Sequence, residues 1–124
     1  MGQRSCGSVL VVDDESDIRE TIRDILEIEG YHVCCAANGK EALDVLSEVR
    51  PGLILLDLMM PVMSGYELLQ QLRARDDLSS IPVTVVSAIG DRAVVRGAEV
   101  LKKPVDLDVL LHVVDVQCRA CRSR

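Results

Sequence analysis

The stretch LILLDLMMP, residues 53–61, decides the fold of this chain. Four apolar residues, at 53–56, run directly into the carboxylate of Asp57, and more apolar residues lead on to Pro61. An uninterrupted apolar run of this length is typical of a strand covered on both faces, as in a parallel sheet. Because a buried charge without a partner is strongly unfavourable, Asp57 is expected where the strand leaves the core. The stretch therefore predicts a central strand that ends on an acid.

Short apolar runs of the same kind alternate with amphipathic stretches along the rest of the chain. The predicted strands are 8–12, 31–36, 53–57, 82–87 and 100–103. Apolar spacing and capping signals predict helices at 15–29, from Asn38 to before Pro51, from the Ser64–Glu67 capping box, at about 91–96, and from about Asp106. This alternation specifies a parallel sheet with right-handed crossovers. The predicted fold class is α/β: a flavodoxin-like, doubly wound, five-stranded parallel sheet in the order 2-1-3-4-5, with helices on both faces and a short fourth helix.

Length and composition exclude several kinds of protein. The 124 residues fit a single domain, with its core at about 8–121 and no room for an output domain. A net charge of −6 argues against nucleic-acid binding by the domain itself, which needs a surplus of Lys and Arg. No apolar run is long enough to span a membrane. Five cysteines without a secretory signal indicate a reducing compartment, so a cytoplasmic protein is expected.

Polar residues stand where the predicted strands end. They are Asp13 and Asp14 after the first strand, Asp57 on the third, Ser87 on the fourth, and Lys103 on the fifth, followed by Pro104. The C-terminal ends of parallel strands share one edge of the sheet, so these groups are expected to converge. Three neighbouring carboxylates repel one another, and a divalent cation with a preference for oxygen, such as Mg²⁺, removes that repulsion. With a lysine and a hydroxyl nearby, the set predicts a phosphoryl-transfer site in which a carboxylate is the nucleophile.

Each of these residues also has an ordinary interpretation. Asp13 and Asp14 could cap the first helix, where acids are favoured, and Asp57 could be a loop acid. Ser87 alone is uninformative, and Lys103 alone would be a solvated lysine. Their joint occurrence at successive strand ends is what favours a functional site.

The motifs VLVVDDE (9–15), LILLDLMMPVMSGYELL (53–69), VTVVSA (83–88) and RGAEVLKKP (96–104) resemble the receiver domain of two-component response regulators, the CheY-like family. The resemblance implies that Asp57 accepts a phosphoryl group. It implies Mg²⁺, with Mn²⁺ as a substitute, held by Asp14, Asp57 and the backbone carbonyl of Met59, while Asp13 acts through water or as a second acid. Ser87 and Lys103 would contact the phosphoryl oxygens, and the Lys103–Pro104 bond would resemble the family's often cis peptide.

The same resemblance implies a partner and a function. The phosphoryl donor would be the phosphohistidine of a sensor histidine kinase or a phosphotransfer protein. The domain would be a phosphorelay switch rather than an enzyme, catalysing its own phosphorylation and dephosphorylation and changing its partner binding or self-association.

The chain departs from the family pattern in the segments that would transmit phosphorylation to a partner protein. Val100 stands three residues before Lys103, where an aromatic side chain is usual, and the stretch between Ser87 and Lys103 is short. The last helix is expected to bury one face, formed by Leu107, Leu110, Leu111, Val114 and Cys118. It also carries a second apolar stripe, Val109, Val113 and Val116, which predicts contact with a partner or a second copy.

Three other functions share parts of this pattern. A haloacid-dehalogenase-like phosphatase would want a second aspartate where Met59 stands, together with a cap domain. A flavin-binding electron carrier would want a hydroxyl- and glycine-rich loop where the chain has the acidic DDES at 13–16. A phosphorylation-independent interaction module on a receiver fold stays open, because the output surface looks altered.

Overall fold

Five parallel strands form one sheet in the order β2-β1-β3-β4-β5. The strands are β1 (Ser8–Val12), β2 (His32–Ala36), β3 (Leu53–Asp57), β4 (Val83–Ser87) and β5 (Glu99–Lys102). The computed structural model describes residues 8–58, 60, 62–87, 99–102 and 106–122, and of residues 87, 99, 102 and 118–122 it describes the backbone only. The predicted fold class and strand order are confirmed.

One strand starts earlier than predicted. β5 begins at Glu99, one residue before its predicted start, and Glu99 pairs with Thr84 of β4. Its last described residue is Lys102, opposite Ser87, and the predicted end at Lys103 lies outside the described residues.

Four helices are described: α1 (Ser16–Ile28), α2 (Gly39–Leu46), α3 (Gly65–Ala74) and α4 (Leu107–Arg122). Their ends follow the predicted signals. Asn38 Oδ1 accepts a hydrogen bond from the Glu41 amide at 2.9 Å. Ser64 and Glu67 form the expected reciprocal capping box, and α1 is followed by Gly30 with a φ of 97°. The short fourth helix predicted at about 91–96 falls outside the described residues.

The core has two layers, one on each face of the sheet. β3 is buried along its whole length, and its side chains alternate between the layers. Ile54 and Leu56 pack with α2 and α3, whereas Leu53 and Leu55 pack with α1 and α4. The doubly covered central strand is thus confirmed, and this rigid support carries Asp57 at its end.

The buried face of α4 is shorter than predicted. Leu110 and Val114 are fully buried, and Leu111 packs beside them. Leu107 is wrong as a core residue, because it stands at the first position of the helix and stays exposed. The side chain of Cys118 lies outside the described part.

Within the ranges that the structure describes, no helix has the length and apolarity needed to cross a bilayer.

Candidate functional site

Three carboxylates meet at the C-terminal edge of the sheet. Oxygen atoms of Asp13, Asp14 and Asp57 all lie within 4.8 Å of one another. The sheet register explains this, because β1 and β3 are parallel neighbours with Val12 opposite Leu56. The next residue of each chain segment is an aspartate. The convergence expected from the strand ends is therefore what the structure shows for these acids.

The three acids differ in their surroundings. Asp13 and Asp57 are only 3% and 4% exposed, whereas Asp14 is exposed to solvent. Charges that are buried this deeply need compensation from hydrogen bonds or from an ion of opposite sign. One such contact is a hydrogen bond from the Glu15 amide to Asp13 Oδ1 at 2.9 Å. Asp13 thus stabilises the turn into α1 and also belongs to the acidic cluster, but the N-cap of α1 is Glu15, so the interpretation of Asp13 or Asp14 as the helix cap is wrong.

The chemistry of this donor set fits a hard divalent cation. Carboxylate oxygens are the ligands that Mg²⁺ prefers, and an exposed acid leaves room for the waters that Mg²⁺ keeps. The geometry of the three acids can thus hold an ion that neutralises their mutual repulsion.

Arg19 is a residue that sequence reasoning missed. Its Nη1 atom donates a hydrogen bond to the backbone carbonyl of Asp13 at 2.6 Å, from a half-buried position on the first turns of α1. The sequence offered a weak signal, a cation six residues after an acid at a strand end. Such a spacing is common on solvated helix faces and does not by itself indicate a contact.

Gly65 lies within the motif at 53–69, but sequence reasoning gave it no role. A Cβ atom built there would collide with the Asp57 carbonyl oxygen and would lie 2.7 Å from Leu58 Cα. The Gly65 amide donates to the Leu58 carbonyl at 3.0 Å. The first turn of α3 is therefore pressed against the backbone of the phosphoacceptor candidate, which a side chain would prevent. A glycine directly after the N-cap Ser64 was the available signal.

The loop between β3 and α3 carries backbone strain. Val62 has a φ of 69° and is 77% exposed. This left-handed region is unfavourable for a β-branched residue. The neighbouring Met63 accepts a hydrogen bond from the Gly39 amide at 3.2 Å. A Cβ atom on Gly39 would come within 2.6 Å of the Met63 side chain. The loop is thus linked to the start of α2.

The other predicted site residues are only partly located. Met59, Lys103 and Pro104 lie outside the described residues. Ser87 ends β4, whose Val86 pairs with Asp57, so its backbone stands at the same edge. Val100 is half-buried and packs against a small cluster formed by Leu58 and Val85. A compact side chain therefore packs against Leu58, the residue that follows Asp57, at the position where the resemblance implies an aromatic residue.

Comparisons with known proteins agree with this geometry. Residues 9–115 match the family described as the response regulator receiver domain. The chain is 44% identical over 84 residues to the probable transcriptional regulator ycf27 of Porphyridium aerugineum, covering 68% of this chain and 35% of that protein. It is 34% identical over 112 residues to the sporulation initiation phosphotransferase F of Bacillus subtilis, covering 86% and 89%. The chain thus spans about a third of the first of these curated relatives.

A solved structure shows the same fold at comparable identity. The response regulator protein TrrA from Thermotoga maritima, in complex with Mg²⁺ and BeF, superposes with a TM-score of 0.79 at 31% identity, over 89% of this chain and 97% of that one. Because the family match covers most of the chain, the chain belongs to the response regulator receiver domains, the regulatory domains of two-component signal transduction.

Proposed function

We propose that this domain is a Mg²⁺-dependent phosphorelay switch in which Asp57 is the phosphoacceptor. The observation that carries the proposal is the convergence of three carboxylates at one sheet edge, with Asp57 at the end of a doubly buried strand. An Asp57 oxygen would attack the phosphorus of a phosphohistidine on a sensor histidine kinase or phosphotransfer protein. The new O–P bond forms as the N–P bond breaks, and the histidine nitrogen leaves with the electron pair.

The three acids would have different roles in binding the cation. Asp14, Asp57 and the Met59 carbonyl are the proposed direct ligands of Mg²⁺, for which Mn²⁺ could substitute, and Asp13 acts through water or as a second acid. A bound divalent cation would neutralise charge on the phosphoryl oxygens and bring acceptor and donor together. The TrrA complex with Mg²⁺ and BeF supports this assignment by relationship.

Ser87 and Lys103 are the proposed partners of the transferred group. β4 ends at Ser87 and β5 ends at Lys102, so both chain segments reach the edge where Asp57 stands. A hydroxyl and an ammonium there would donate hydrogen bonds to phosphoryl oxygens. The domain is proposed to promote hydrolysis of its aspartyl phosphate as well as its formation.

Phosphorylation would act by shifting an equilibrium between two conformations. Moving such an equilibrium from mostly inactive to mostly active needs a preference of about 5 kcal/mol for the active state. The proposed readout is the apolar stripe of α4, where Val109 and Val116 are 46% and 47% exposed and Val113 is half-buried. This stripe would bind a partner protein or a second copy.

The cellular compartment and the class of partner are also proposals. The odd number of cysteines, five, supports a reducing, cytoplasmic compartment. The net charge of −6 supports partners other than nucleic acid or a membrane surface for the domain itself.

The test is labelling by a small phosphoryl donor. The protein and its Asp57→Asn variant are incubated with acetyl phosphate and Mg²⁺, and intact mass is followed. We expect one phosphoryl group on the wild type, none on Asp57→Asn, and none on either protein when a chelator removes Mg²⁺. Equal labelling of both proteins would reject Asp57 as the acceptor.

A phosphorylation-independent interaction module is the second candidate. It is favoured by Val100, which packs behind Leu58 where an aromatic side chain is usual. It predicts that neither protein is labelled, and that binding through the α4 stripe is the same with and without acetyl phosphate.

A further inference from the structure

The exposed acid of the cluster lacks a side-chain partner in the part of the chain that the structure describes. No hydrogen bond or ion pair among those residues reaches the carboxylate of Asp14. The peptide group that joins Asp14 to Asp13 helps to set the direction of this side chain. Because a peptide group is planar, fixing the Asp13 carbonyl also fixes the amide nitrogen of Asp14.

That peptide group is held by a charged side chain. Arg19 Nη1 donates to the Asp13 carbonyl at 2.6 Å. The preceding peptide group is held as well, because the Asp13 amide donates to the Ala36 carbonyl at 3.1 Å. Arg19 is itself fixed, because its backbone amide donates to the Glu15 carbonyl at 3.0 Å in the first turn of α1. The guanidinium group thus anchors the acidic turn to a rigid helix.

We infer that Arg19 is a positioning residue for the cation site: it holds the Asp13–Asp14 peptide so that the Asp14 carboxylate faces Asp57. The inference rests on the proposed function, in which Asp14 is a cation ligand. Mg²⁺ requires nearly octahedral geometry, so a ligand that swings freely binds it poorly. Loss of hydrogen-bond partners that orient metal ligands typically weakens metal affinity about 10- to 100-fold.

The charge of Arg19 would act in the opposite direction. A guanidinium near a divalent cation repels it, so removing the charge alone should tighten Mg²⁺ binding. The sign of the change in Mg²⁺ affinity therefore distinguishes the two effects: weaker binding indicates lost positioning, and tighter binding indicates lost charge repulsion. At about 1 M salt the Debye length falls to about 3 Å, which suppresses the charge effect and leaves the positioning effect.

Arg23 provides a matched control on the same helix. Its guanidinium pairs with Asp24 at 3.3 Å instead of holding the acidic turn. Burial raises the pKa of the Cys35 thiol, and the positive charges of Arg23 and Arg19 both oppose that rise. Both charges therefore act on the same part of β2. Arg23→Met removes a comparable charge without touching the Asp13 carbonyl.

The experiment is a Mg²⁺ titration followed by the backbone amide NMR signals of residues 13–15. At high salt we expect the Mg²⁺ dissociation constant to rise about ten-fold in Arg19→Met and to stay within about two-fold of wild type in Arg23→Met. Arg19→Lys keeps a charge and a donor, so it should recover part of the affinity. Thermal unfolding without Mg²⁺ checks that each variant folds, and if Arg19→Met does not fold, Arg19→Lys alone is expected to weaken binding measurably.

The outcomes separate the inference from the proposed function. Wild-type protein that fails to bind Mg²⁺ would overturn both. Wild-type protein that binds, together with folded Arg19 variants that bind equally well or more tightly, would overturn the inference alone. Equal weakening by Arg19→Met and Arg23→Met would also overturn it, because the effect would then not depend on the Asp13 carbonyl.

Discussion

Two connections at the same edge of the sheet position the three acids in different ways. The turn between β1 and α1, residues 13–15, is short and is held by polar contacts from Glu15 and Arg19. The loop between β3 and α3, residues 58–64, is longer and is held by close backbone packing at Gly65, with strain at Val62. The first arrangement holds its acids through hydrogen bonds, whereas the second fixes the backbone of Asp57 by steric contact. The first can therefore be weakened by removing one side chain, Arg19, and the second by adding one at Gly65.

The largest expected loss of stability comes from a substitution that disturbs the steric contact at Gly65. Gly65→Ala places a methyl group against the backbone of Asp57 and Leu58. Because backbone cannot rotate away, we expect a loss of about 3 kcal/mol in the free energy of unfolding. Gly39→Ala is the comparison, since its methyl group meets the side chain of Met63 and no backbone atom is among its nearest contacts, so it should lower stability less, by about 1–2 kcal/mol. Urea unfolding measures both, and equal losses would show that the two glycines have the same role.

A smaller effect is expected when one negative charge is removed from the hydrogen-bonded turn. Without a divalent cation, Asp14→Asn removes repulsion from Asp13 and Asp57, whose oxygens lie within 4.8 Å. We expect the free energy of unfolding to rise by about 1 kcal/mol, as for charges a few ångströms apart in a water-like medium. In saturating Mg²⁺ the gain should vanish, because cation binding stabilises the wild type more. A variant that is less stable than wild type under chelation would argue against repulsion among the acids.

The smallest effect concerns the strain in the longer loop. Val62→Gly removes the unfavourable left-handed valine, which is opposed by the greater freedom of glycine in the unfolded chain. The balance predicts a gain of about 0.5 kcal/mol. Val62→Ala keeps a Cβ atom and should gain less. Thermal unfolding under identical conditions compares the three proteins, and a loss of stability in Val62→Gly would mean that the exposed side chain contributes packing.

Much of the architecture could be predicted because its signals are local. The run LILLD marks the buried central strand, and the Ser64–Glu67 pair marks the start of α3. The convergence of Asp13, Asp14 and Asp57 followed from parallel strand order alone. By contrast, the contact of Arg19 with the Asp13 carbonyl and the fit of Gly65 against Asp57 depend on the path of the chain in space. A pattern of residue types does not encode such distances.

Two differences from prediction lie at element ends. β5 begins one residue before its predicted start, because Glu99 pairs with Thr84 of β4. Leu107 has the right spacing for the buried face of α4, but it stands at the helix start and stays exposed. Spacing along the sequence indicates the face of an element more reliably than its ends.

The central claim is that the acids of both connections form one cation site that serves Asp57. The most direct test measures the rate of Asp57 labelling by acetyl phosphate against Mg²⁺ concentration, for the wild type and for Asp14→Asn. The account predicts that the wild-type rate saturates at the Mg²⁺ concentration that half-fills the site in a binding titration, and that Asp14→Asn needs on the order of ten-fold more Mg²⁺. A labelling rate that ignores Mg²⁺, or the same Mg²⁺ dependence in both proteins, would contradict it.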